Sequence, residues 1–411
     1  SGAKNPDFKN ENPYTNMEYP DAGYRLLSLY RYWNIIQYYF PYKNLIEEDW
    51  KKVLVEFIPK FNNAKNDTEY TLAALELIAR VHDTHANIRG GNPVLAKHFG
   101  LHYAAAELQF IEDQLVLTGF HDEHLGSTSG LQKGDVISHI GGKLVNEILK
   151  ERLKYIPASN YPTQLRNAAP GFFRTNDSLI TITLVRNNKT ELKIIKTYRY
   201  GEFKKSASNK AIDTCYKLIT KDIAYLNNGT FKKKYMPELW KQIRTTKGLI
   251  IDIRNYPSDF LVYALSNYLL PKSTPFVKFS KGSTKYPGLF SLTKSKNAGR
   301  KRKDYYKGKI VLLTNATTQS SAEFHTMAYQ THPNATVIGS TTAAADGNVS
   351  RFSLPGGIQT MISGIGVYYP DGRETQRIGI VPDIEMKPTI EGIKKGQDEL
   401  LDKAIELINR P

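Results

Sequence analysis

The chain has 411 residues, of which 40% are hydrophobic, and it carries a formal net charge of +16. This length exceeds one ordinary hydrophobic core, so we expect two or three folded domains. The charge could attract nucleic acid. However, the lysines are scattered and no nucleic-acid-binding motif accompanies them, so we predict no nucleic-acid partner.

The cysteine content and the hydropathy exclude two further classes. Cys215 is the only cysteine, which rules out an intramolecular disulfide and a cysteine-rich metal site. No segment approaches the ~20 continuous apolar residues of a membrane span, so we predict no transmembrane segment. The first residues, Ser1 to Asn5, are polar and lack the apolar core of a signal peptide.

The N-terminal part of the chain has helical periodicity. Apolar residues recur at helical spacing over residues 21–89, which predicts about three helices. We expect the third helix to end near the segment Val81–His85, and the Gly90–Gly91 pair to mark a boundary. The prediction is an N-terminal helical region over residues 1–93.

Residues 94–203 have the short alternating pattern of a β-rich domain, with candidate strands at Leu108–Ile111 and Leu179–Val185. The segment Ser129–Gly142 resembles the signature of a PDZ domain. This resemblance implies that Gly100 and Leu101 belong to a carboxylate-binding loop for peptide ends. The alternative is another β-rich domain with glycine turns.

In residues 204–411 strands alternate with helices. A strand at Gly248–Ile253 precedes a helix near residues 259–270, and another strand follows at Ile310–Leu313. This alternation predicts an α/β core with crossover connections. We expect the polar segment Lys294–Lys307 to be a loop, and the whole chain to be an α+β multidomain protein.

Ser320 stands at a corner between a predicted strand and a predicted helix. Such a corner exposes the hydroxyl beside unpaired helix N–H groups, which suits a nucleophile and the oxyanion that it generates. The alternative is a structural one. Ser320 with Glu323 also fits a capping box, in which the serine only begins the helix.

An ordered series of segments resembles the landmarks of the tail-specific, or carboxyl-terminal processing, serine proteases. These segments are Ile223–Leu226, Leu249–Asn255, Ser320–Glu323, Val337–Gly339 and Gly379–Asp383. The family includes the tricorn core protease and the interphotoreceptor retinoid-binding proteins. The resemblance implies a crotonase-like ββα core and a serine peptidase that forms an acyl-enzyme. It further implies polypeptide substrates recognised by their C-termini, no cofactor or metal, and export to a bacterial periplasm or cell envelope.

The general base follows from a departure within the family. The processing branch uses a lysine shortly after the fourth segment, but this chain has no lysine between Lys309 and Lys387. The tricorn-like branch uses a histidine before the PDZ domain, which the resemblance assigns to His85. Imidazole can accept and return a proton near neutral pH. The alternatives are a structural histidine at a helix end, or a metal pair with His82 that lacks an evident third ligand.

A carboxylate or amide usually orients such an imidazole. Counting from the family pattern reaches Gln376, and Glu374 would share its face if the segment is extended. We prefer Glu374, because an anion stabilises the imidazolium. The alternative for Glu374 is a solvated charge at a strand end.

The resemblance places the oxyanion donors at the backbone N–H of Ser321 and in the turn that follows the strand ending near Asp252. That turn is rich in glycine in the family, whereas here it is Arg254–Asp259, and we take Ser258 as the donor. Glycine allows backbone conformations that turn N–H groups inward, and losing one donor costs about 3 kcal/mol. A catalytically impaired peptide- or lipid-binding protein therefore remains an alternative.

Overall fold

The computed structural model describes residues 5–14, 16–203 and 215–410. Helices and strands are mixed along the chain, as expected for an α+β protein. Buried hydrophobic side chains form separate clusters in the N-terminal helices, in the middle sheet and on both faces of the C-terminal sheet.

The N-terminal region is helical because each amphipathic segment begins at a side chain that caps it. Asp21, Asp49 and Asn66 accept hydrogen bonds from backbone N–H groups in the first turns of the helices they precede. The helices are α1 (Ala22–Tyr39), α2 (Trp50–Asn62), α3 (Asp67–Ala79) and α4 (Pro93–Phe99).

The middle region is built on an antiparallel sheet with the strand order β2-β3-β4-β7-β8, and β1 lies between β6 and β9 in a small separate sheet. Its strands are β1 (His102–Tyr103), β2 (Glu107–Ile111), β3 (Gln114–Gly119), β4 (Val136–Ile140), β5 (Lys143–Leu144), β6 (Arg174–Thr175), β7 (Leu179–Arg186), β8 (Lys189–Lys196) and β9 (Tyr198–Arg199). Its helices are α5 (Glu123–Ser127), α6 (Val145–Arg152) and α7 (Tyr161–Ala168).

The C-terminal region contains the elements that carry the candidate site. Its strands are β10 (Tyr216–Thr220), β11 (Ile223–Asn227), β12 (Gly248–Asp252), β13 (Thr274–Gly282), β14 (Phe290–Leu292), β15 (Lys296–Ala298), β16 (Lys309–Thr314), β17 (Ala335–Gly339), β18 (Val349–Leu354), β19 (Ile358–Ser363), β20 (Val367–Tyr368) and β21 (Ile384–Glu385). Its helices are α8 (Met236–Ile243), α9 (Val262–Leu269), α10 (Ser321–Tyr329), α11 (Ile390–Lys395) and α12 (Glu399–Asn409).

The main C-terminal sheet has the order β10-β11-β12-β16-β17-β21, and it is parallel from β11 onward. Every residue of β12 is buried. Successive residues pack on opposite faces: Ile251 joins the cluster with α8, α9 and α10, whereas Ile250 joins the cluster with α12. A parallel sheet covered on both faces explains why its strands are continuously apolar.

The carboxyl ends of the parallel strands meet at one edge of this sheet. Backbone hydrogen bonds run from Asn228 N–H to Asp252 O and from Ile253 N–H to Leu313 O, so the loops after β11, β12 and β16 lie side by side. Ligands of open parallel sheets bind outside this edge. It is where Ser320 lies.

The hairpin formed by β18 and β19 is a separate two-stranded sheet, and it packs on the N-terminal helices. Phe352 and Ile362 belong to the same hydrophobic cluster as Tyr32 and Ile78. Residues more than 250 positions apart in sequence thus share one core, which brings the loop after α3 next to the C-terminal region.

The sequence-based boundaries need some corrections. The helix expected near residues 259–270 is α9, which is shorter, and α3 ends at Ala79, before the expected segment. Lys294–Lys307, expected to be a loop, contains the short strand β15, which pairs with β13. Among the helices of the described residues, none is long and apolar enough to cross a membrane.

Candidate active site

Ser320 adopts a strained backbone conformation between β16 and α10. Its φ is 57° and its ψ is −119°, outside the ordinary regions for a residue with a side chain. Its N–H donates to Ala345 O and to Glu323 Oε2, both at 3.0 Å. Such strain clusters at functional sites, where the surrounding contacts enforce it.

Glu323 holds the strained corner in place. Its carboxylate is fully buried and accepts hydrogen bonds from Thr342 Oγ1 and from the N–H groups of Ser320, Ala344 and Ala345. Burial raises the pKa of Glu323, and these donors oppose the shift. The carboxylate therefore ties the start of α10 to the segment that follows β17.

His85 lies in the loop after α3 and is buried. Its Nδ1 is 2.8 Å from Ser363 Oγ, which is itself 2.8 Å from Asp83 Oδ1. The carboxylate can only accept, so the Ser363 hydroxyl donates to Asp83 and accepts from His85 Nδ1–H. This assignment leaves His85 Nε2 unprotonated and free to act as a base.

Asp83 is the centre of this polar cluster. It is fully buried, and it accepts the His85 N–H at 3.1 Å and the Ser363 N–H at 2.6 Å. Burial lowers the pKa of His85, the charge of Asp83 opposes this effect and the charge of Arg89 adds to it. The imidazole is therefore neutral at pH 7, the form that a general base needs.

His85 and Ser320 are linked through one short segment. Thr84 Oγ1 donates to Ala343 O at 3.0 Å, and Ser320 N–H donates to Ala345 O at the same distance. The two stretches thus contact backbone positions only two residues apart. Among the described residues no hydrogen bond joins Ser320 Oγ directly to His85.

The preference for Glu374 as the residue that orients His85 is corrected by the structure. The Glu374 carboxylate accepts a hydrogen bond from Asn44 Nδ2 at 3.1 Å and makes none with His85. Gln376, the residue reached by counting, is buried, and its Nε2 lies 3.4 Å from Asp83 Oδ1. A turn begins at Gln376, so the extended segment that we assumed for Glu374 and Gln376 ends there.

Ser363 and Asp83 were not predicted as partners of His85. Asp83 lies in the same short segment as His85, so the presence of a carboxylate two residues before the histidine was a usable signal. Ser363 offered none, because it approaches through the packing of the hairpin on the N-terminal helices.

Of the two predicted oxyanion donors, one N–H group has no acceptor and the other is already hydrogen-bonded among the described residues. The Ser321 N–H, at the first residue of α10, has no acceptor among the described residues, as a donor for an oxyanion requires. The Ser258 N–H instead donates to Asn228 O at 3.1 Å, so that prediction is wrong. The N–H groups of Asn255 and Tyr256 have no acceptor among the described residues and are the remaining candidates in this turn.

The turn after β12 lies directly beside the loop that precedes Ser320. Thr317 Oγ1 donates to Arg254 O at 2.9 Å, and Thr318 Oγ1 donates to Ile253 O at 2.8 Å. The start of the turn is thus anchored close to α10.

The predicted carboxylate-binding loop is not free to bind a peptide end. The Gly100 N–H donates to Ala96 O and ends α4, and the Leu101 N–H donates to Asn176 Oδ1 at 3.3 Å. The following strand, β1, is paired on both sides. The assignment of Gly100 and Leu101 to carboxylate binding is therefore corrected.

The metal interpretation of His82 and His85 gains no third ligand. Within the described ranges, no three His, Cys, Asp or Glu side chains cluster as metal ligands would. His85 Nδ1 already donates to Ser363.

Comparison with known proteins relates the C-terminal region to a peptidase family. Residues 222–386 match the model described as Peptidase family S41. The C-terminal region therefore contains a peptidase family S41 domain, and the predicted resemblance to the tail-specific serine proteases is confirmed.

A protein described as a probable CtpA-like serine protease of Staphylococcus haemolyticus (strain JCSC1435) is 24% identical over 289 residues. The match covers 68% of this chain and 52% of that protein, so the chain spans about half the length of this relative. Mature CPAF complexed with lactacystin has a TM-score of 0.71 and 16% identity, over 94% of this chain and 98% of that one. At this identity the likeness concerns the fold alone.

Proposed function

We propose that the protein is a serine peptidase that cleaves polypeptides through an acyl-enzyme, with Ser320 as nucleophile and His85 as general base. The observation that carries the proposal is the strained Ser320 at the carboxyl edge of the sheet, beside a Ser321 N–H that has no acceptor among the described residues. Strain, position and a free donor together are typical of a nucleophile corner.

In this mechanism Ser320 Oγ attacks the peptide carbonyl carbon while His85 Nε2 takes the hydroxyl proton. The carbonyl oxygen becomes an oxyanion, which accepts from the Ser321 N–H and from a backbone N–H of Asn255 or Tyr256. His85 then protonates the leaving amine, and water releases the acyl group by the reverse proton transfers. Both transfers require Ser320 Oγ within about 3 Å of Nε2 in the substrate complex.

The Ser363 hydroxyl and Asp83 would orient the base and stabilise its charged form. When His85 becomes an imidazolium, its Nδ1–H still donates to Ser363 Oγ, and the Asp83 carboxylate attracts the new charge through that hydroxyl. This arrangement replaces the direct contact with a carboxylate that we expected from Glu374. Gln376 acts one step further out, through Asp83 and Ser159.

We take the middle sheet as PDZ-like and the C-terminal region as a crotonase-like ββα core, with domains over residues 1–93, 94–203 and 204–411. Residues 204–214 of the last range lie outside the described residues. Export to a bacterial periplasm or cell envelope, which the family resemblance implies, is part of the proposal.

A peptide- or lipid-binding protein without turnover is the second candidate. It is favoured by the occupied Ser258 N–H and by the lack of a direct hydrogen bond between Ser320 and His85. On this hypothesis, replacing either residue would leave ligand affinity unchanged.

Labelling with a serine-reactive phosphonate separates the two candidates. We expect the intact chain to be labelled, Ser320→Ala to be unlabelled and His85→Ala to be labelled at least tenfold more slowly, because the nucleophile lacks its base. Ser291→Ala, at an exposed serine, is the matched control. If the protein binds peptides but is not labelled, the peptidase proposal is wrong and the binding function is favoured.

A further inference from the structure

The positive charge of the chain is concentrated in one stretch of the C-terminal region. Residues 272–309 contain twelve lysine and arginine residues and one acidic residue, Asp304, so they carry a net charge of +11 out of +16 for the whole chain. The basic residues are thus less scattered than we assumed from the sequence. A surface of one sign of charge favours a partner of the opposite sign.

This stretch contains the antiparallel hairpin of β13 and β14, which has an exposed apolar tip. Tyr286 is 57% exposed and Leu289 is 60% exposed. The tip is held in shape by its own hydrogen bonds, because the Ser283 N–H donates to Leu289 O at 2.9 Å and the Leu289 N–H donates to Tyr286 O at 3.1 Å. Both side chains are therefore held in water by a closed loop.

The tip lies beside the end of α1, which adds a third apolar side chain. A Cβ atom placed on Gly288 would lie 3.5 Å from Gln37 O and 3.5 Å from Tyr38 Cδ1, so the loop and the helix are in close contact. Tyr38 is itself 40% exposed. Tyr38, Tyr286 and Leu289 together form what we call the tip surface. Adjoining exposed apolar side chains of this kind mark interaction sites.

Lysines flank the tip on both strands of the hairpin. Lys281 and Lys285 precede Tyr286, Lys294 and Lys296 follow β14, and all four are exposed. Among the described residues none of the four pairs with a carboxylate, and the ion pair of this stretch joins Arg302 to Asp304 instead. The four ammonium groups thus remain available to an anionic partner.

We propose that the tip surface docks on an anionic lipid bilayer, with its apolar side chains in the interfacial layer and the four lysines against the head groups. Tyrosine suits a membrane interface, since its ring is apolar and its hydroxyl can stay in water. Lysines next to an anionic bilayer are attracted to it, and their long side chains let the charge reach the head groups. A nucleic acid would also neutralise the lysines but would leave Leu289 exposed, so the apolar tip favours a bilayer.

The base of the hairpin packs on the helix that begins beside the candidate nucleophile. Phe279 on β13 stacks with Phe324 on α10, with ring centroids 5.9 Å apart, and Phe276 contacts the same ring at 5.1 Å. Ser320 directly precedes α10. Docking would therefore hold the candidate active site close to the bilayer and favour polypeptides at that membrane surface as substrates. This last step rests on the proposed function, whereas the docking itself does not.

Co-sedimentation of the intact chain with lipid vesicles tests the docking without any cleavage step. Vesicles of phosphatidylcholine alone are compared with vesicles of equal parts phosphatidylcholine and phosphatidylglycerol. We expect about tenfold tighter binding or more to the anionic vesicles, and weaker binding as salt is added, because salt screens the attraction. Lys281→Gln combined with Lys285→Gln should weaken this binding about 25-fold, at about fivefold for each lysine. Lys51→Gln combined with Lys52→Gln, at exposed lysines of α2, is the matched control and should leave it unchanged.

A second pair of variants tests the apolar tip. Tyr286→Ser combined with Leu289→Ser should weaken binding to the anionic vesicles about tenfold or more, because fewer apolar side chains enter the interface. Leu192→Ser combined with Ile194→Ser removes two exposed apolar side chains from β8 and should have no effect. Thermal melting checks the folding of each variant, and the comparison of the two kinds of vesicle does not depend on any variant.

Equal binding to neutral and anionic vesicles would overturn the proposal, and so would the absence of binding to either. Binding to anionic vesicles that is unchanged by the serine substitutions at the tip would also overturn it. If the chain then binds polyuridylate and the lysine substitutions weaken that binding, the basic stretch is assigned to nucleic acid instead. Labelling of Ser320 by the phosphonate is measured without vesicles, so the failure of one proposal is distinguishable from the failure of the other.

Discussion

Replacing Ser363 with alanine tests the hydroxyl link between His85 and Asp83. The substitution removes the acceptor of His85 Nδ1–H and the side-chain donor to Asp83 Oδ1, each at 2.8 Å. It keeps the Ser363 N–H, which donates to Asp83 Oδ2 at 2.6 Å, so the loop and the hairpin stay joined. The change is thus confined to the orientation and charge of the imidazole.

The expected loss follows from these two hydrogen bonds. Hydrogen bonds to charged groups contribute about 1.5–3 kcal/mol, and the imidazolium exists only once the proton has moved. Removing its acceptor should therefore lower kcat/KM, or the rate constant of phosphonate labelling, by a factor of about 10 to 150. The free energy of unfolding should change much less.

The matched control is Ser353→Ala in the same hairpin. Its hydroxyl donates to Gln359 Oε1 at an exposed position, so the rate should stay within about twofold of the parent, as for other surface substitutions. The pH profile adds a second readout. Because burial lowers the pKa of His85 below 6.5, the acid limb of kcat/KM should lie below that pH in the parent. If Ser363→Ala reacts as fast as the control, the proposed role of the Ser363 hydroxyl between His85 and Asp83 is wrong.

Three further predictions concern Glu323, Asp346 and Arg166, which lie around the candidate site. Glu323→Gln should lower the free energy of unfolding by about 1–3 kcal/mol in urea titrations, because the amide NH₂ cannot accept from the N–H groups it would face. Burial and the charge of Glu323 raise the pKa of Asp346 well above 3.8. The raised pKa of Asp346 therefore adds to the free energy of unfolding in full below pH 3.8. This contribution is lost as the pH rises through the pKa of Asp346 in the folded protein. Asp346→Asn should thus gain stability relative to the parent as the pH rises. Arg166→Ala should slow phosphonate labelling of Ser320 about tenfold, because the loop before it loses two hydrogen bonds.

Controls for these variants come from exposed positions. At Asp371 hydrogen bonds from Arg373 lower the pKa, so Asp371→Asn should lose stability relative to the parent as the pH rises, opposite to Asp346→Asn. Arg300→Ala matches the charge change of Arg166→Ala without a contact to the loop. A Glu323→Gln protein as stable as the parent would contradict the bracing role of that carboxylate. Equal labelling rates in both arginine variants would show that the Arg166 contacts are incidental.

Local sequence patterns predicted the elements that depend on local physics. The continuous apolar run of β16 and the Ser-x-x-Glu start of α10 locate the corner at Ser320 without knowledge of the rest of the fold. The N-terminal helices and the parallel strands were found for the same reason, since their periodicity is written into adjacent residues.

The errors concern residues whose partners are distant in sequence. Ser258 was chosen from the spacing of its turn, but its N–H is used by Asn228, on a loop 30 residues earlier. Glu374 was chosen for its charge on the assumption of an extended segment, but its carboxylate contacts Asn44, whereas the buried Gln376 lies beside Asp83. Ser363 reaches His85 across 278 positions through a hairpin that packs on helices, which no local pattern records.

The structural and catalytic interpretations of Ser320 are compatible because of Glu323. A serine at φ 57° stores strain of about 1–3 kcal/mol, and an ordinary N-cap in extended conformation would avoid it. The strain persists because the buried carboxylate accepts the Ser320 N–H together with donors from Thr342, Ala344 and Ala345. The capping residue thus fixes the serine in the unusual geometry instead of merely beginning the helix. Since the same contacts hold the segment to which Thr84 donates, this carboxylate also helps to position His85, the proposed base, relative to Ser320, the proposed nucleophile.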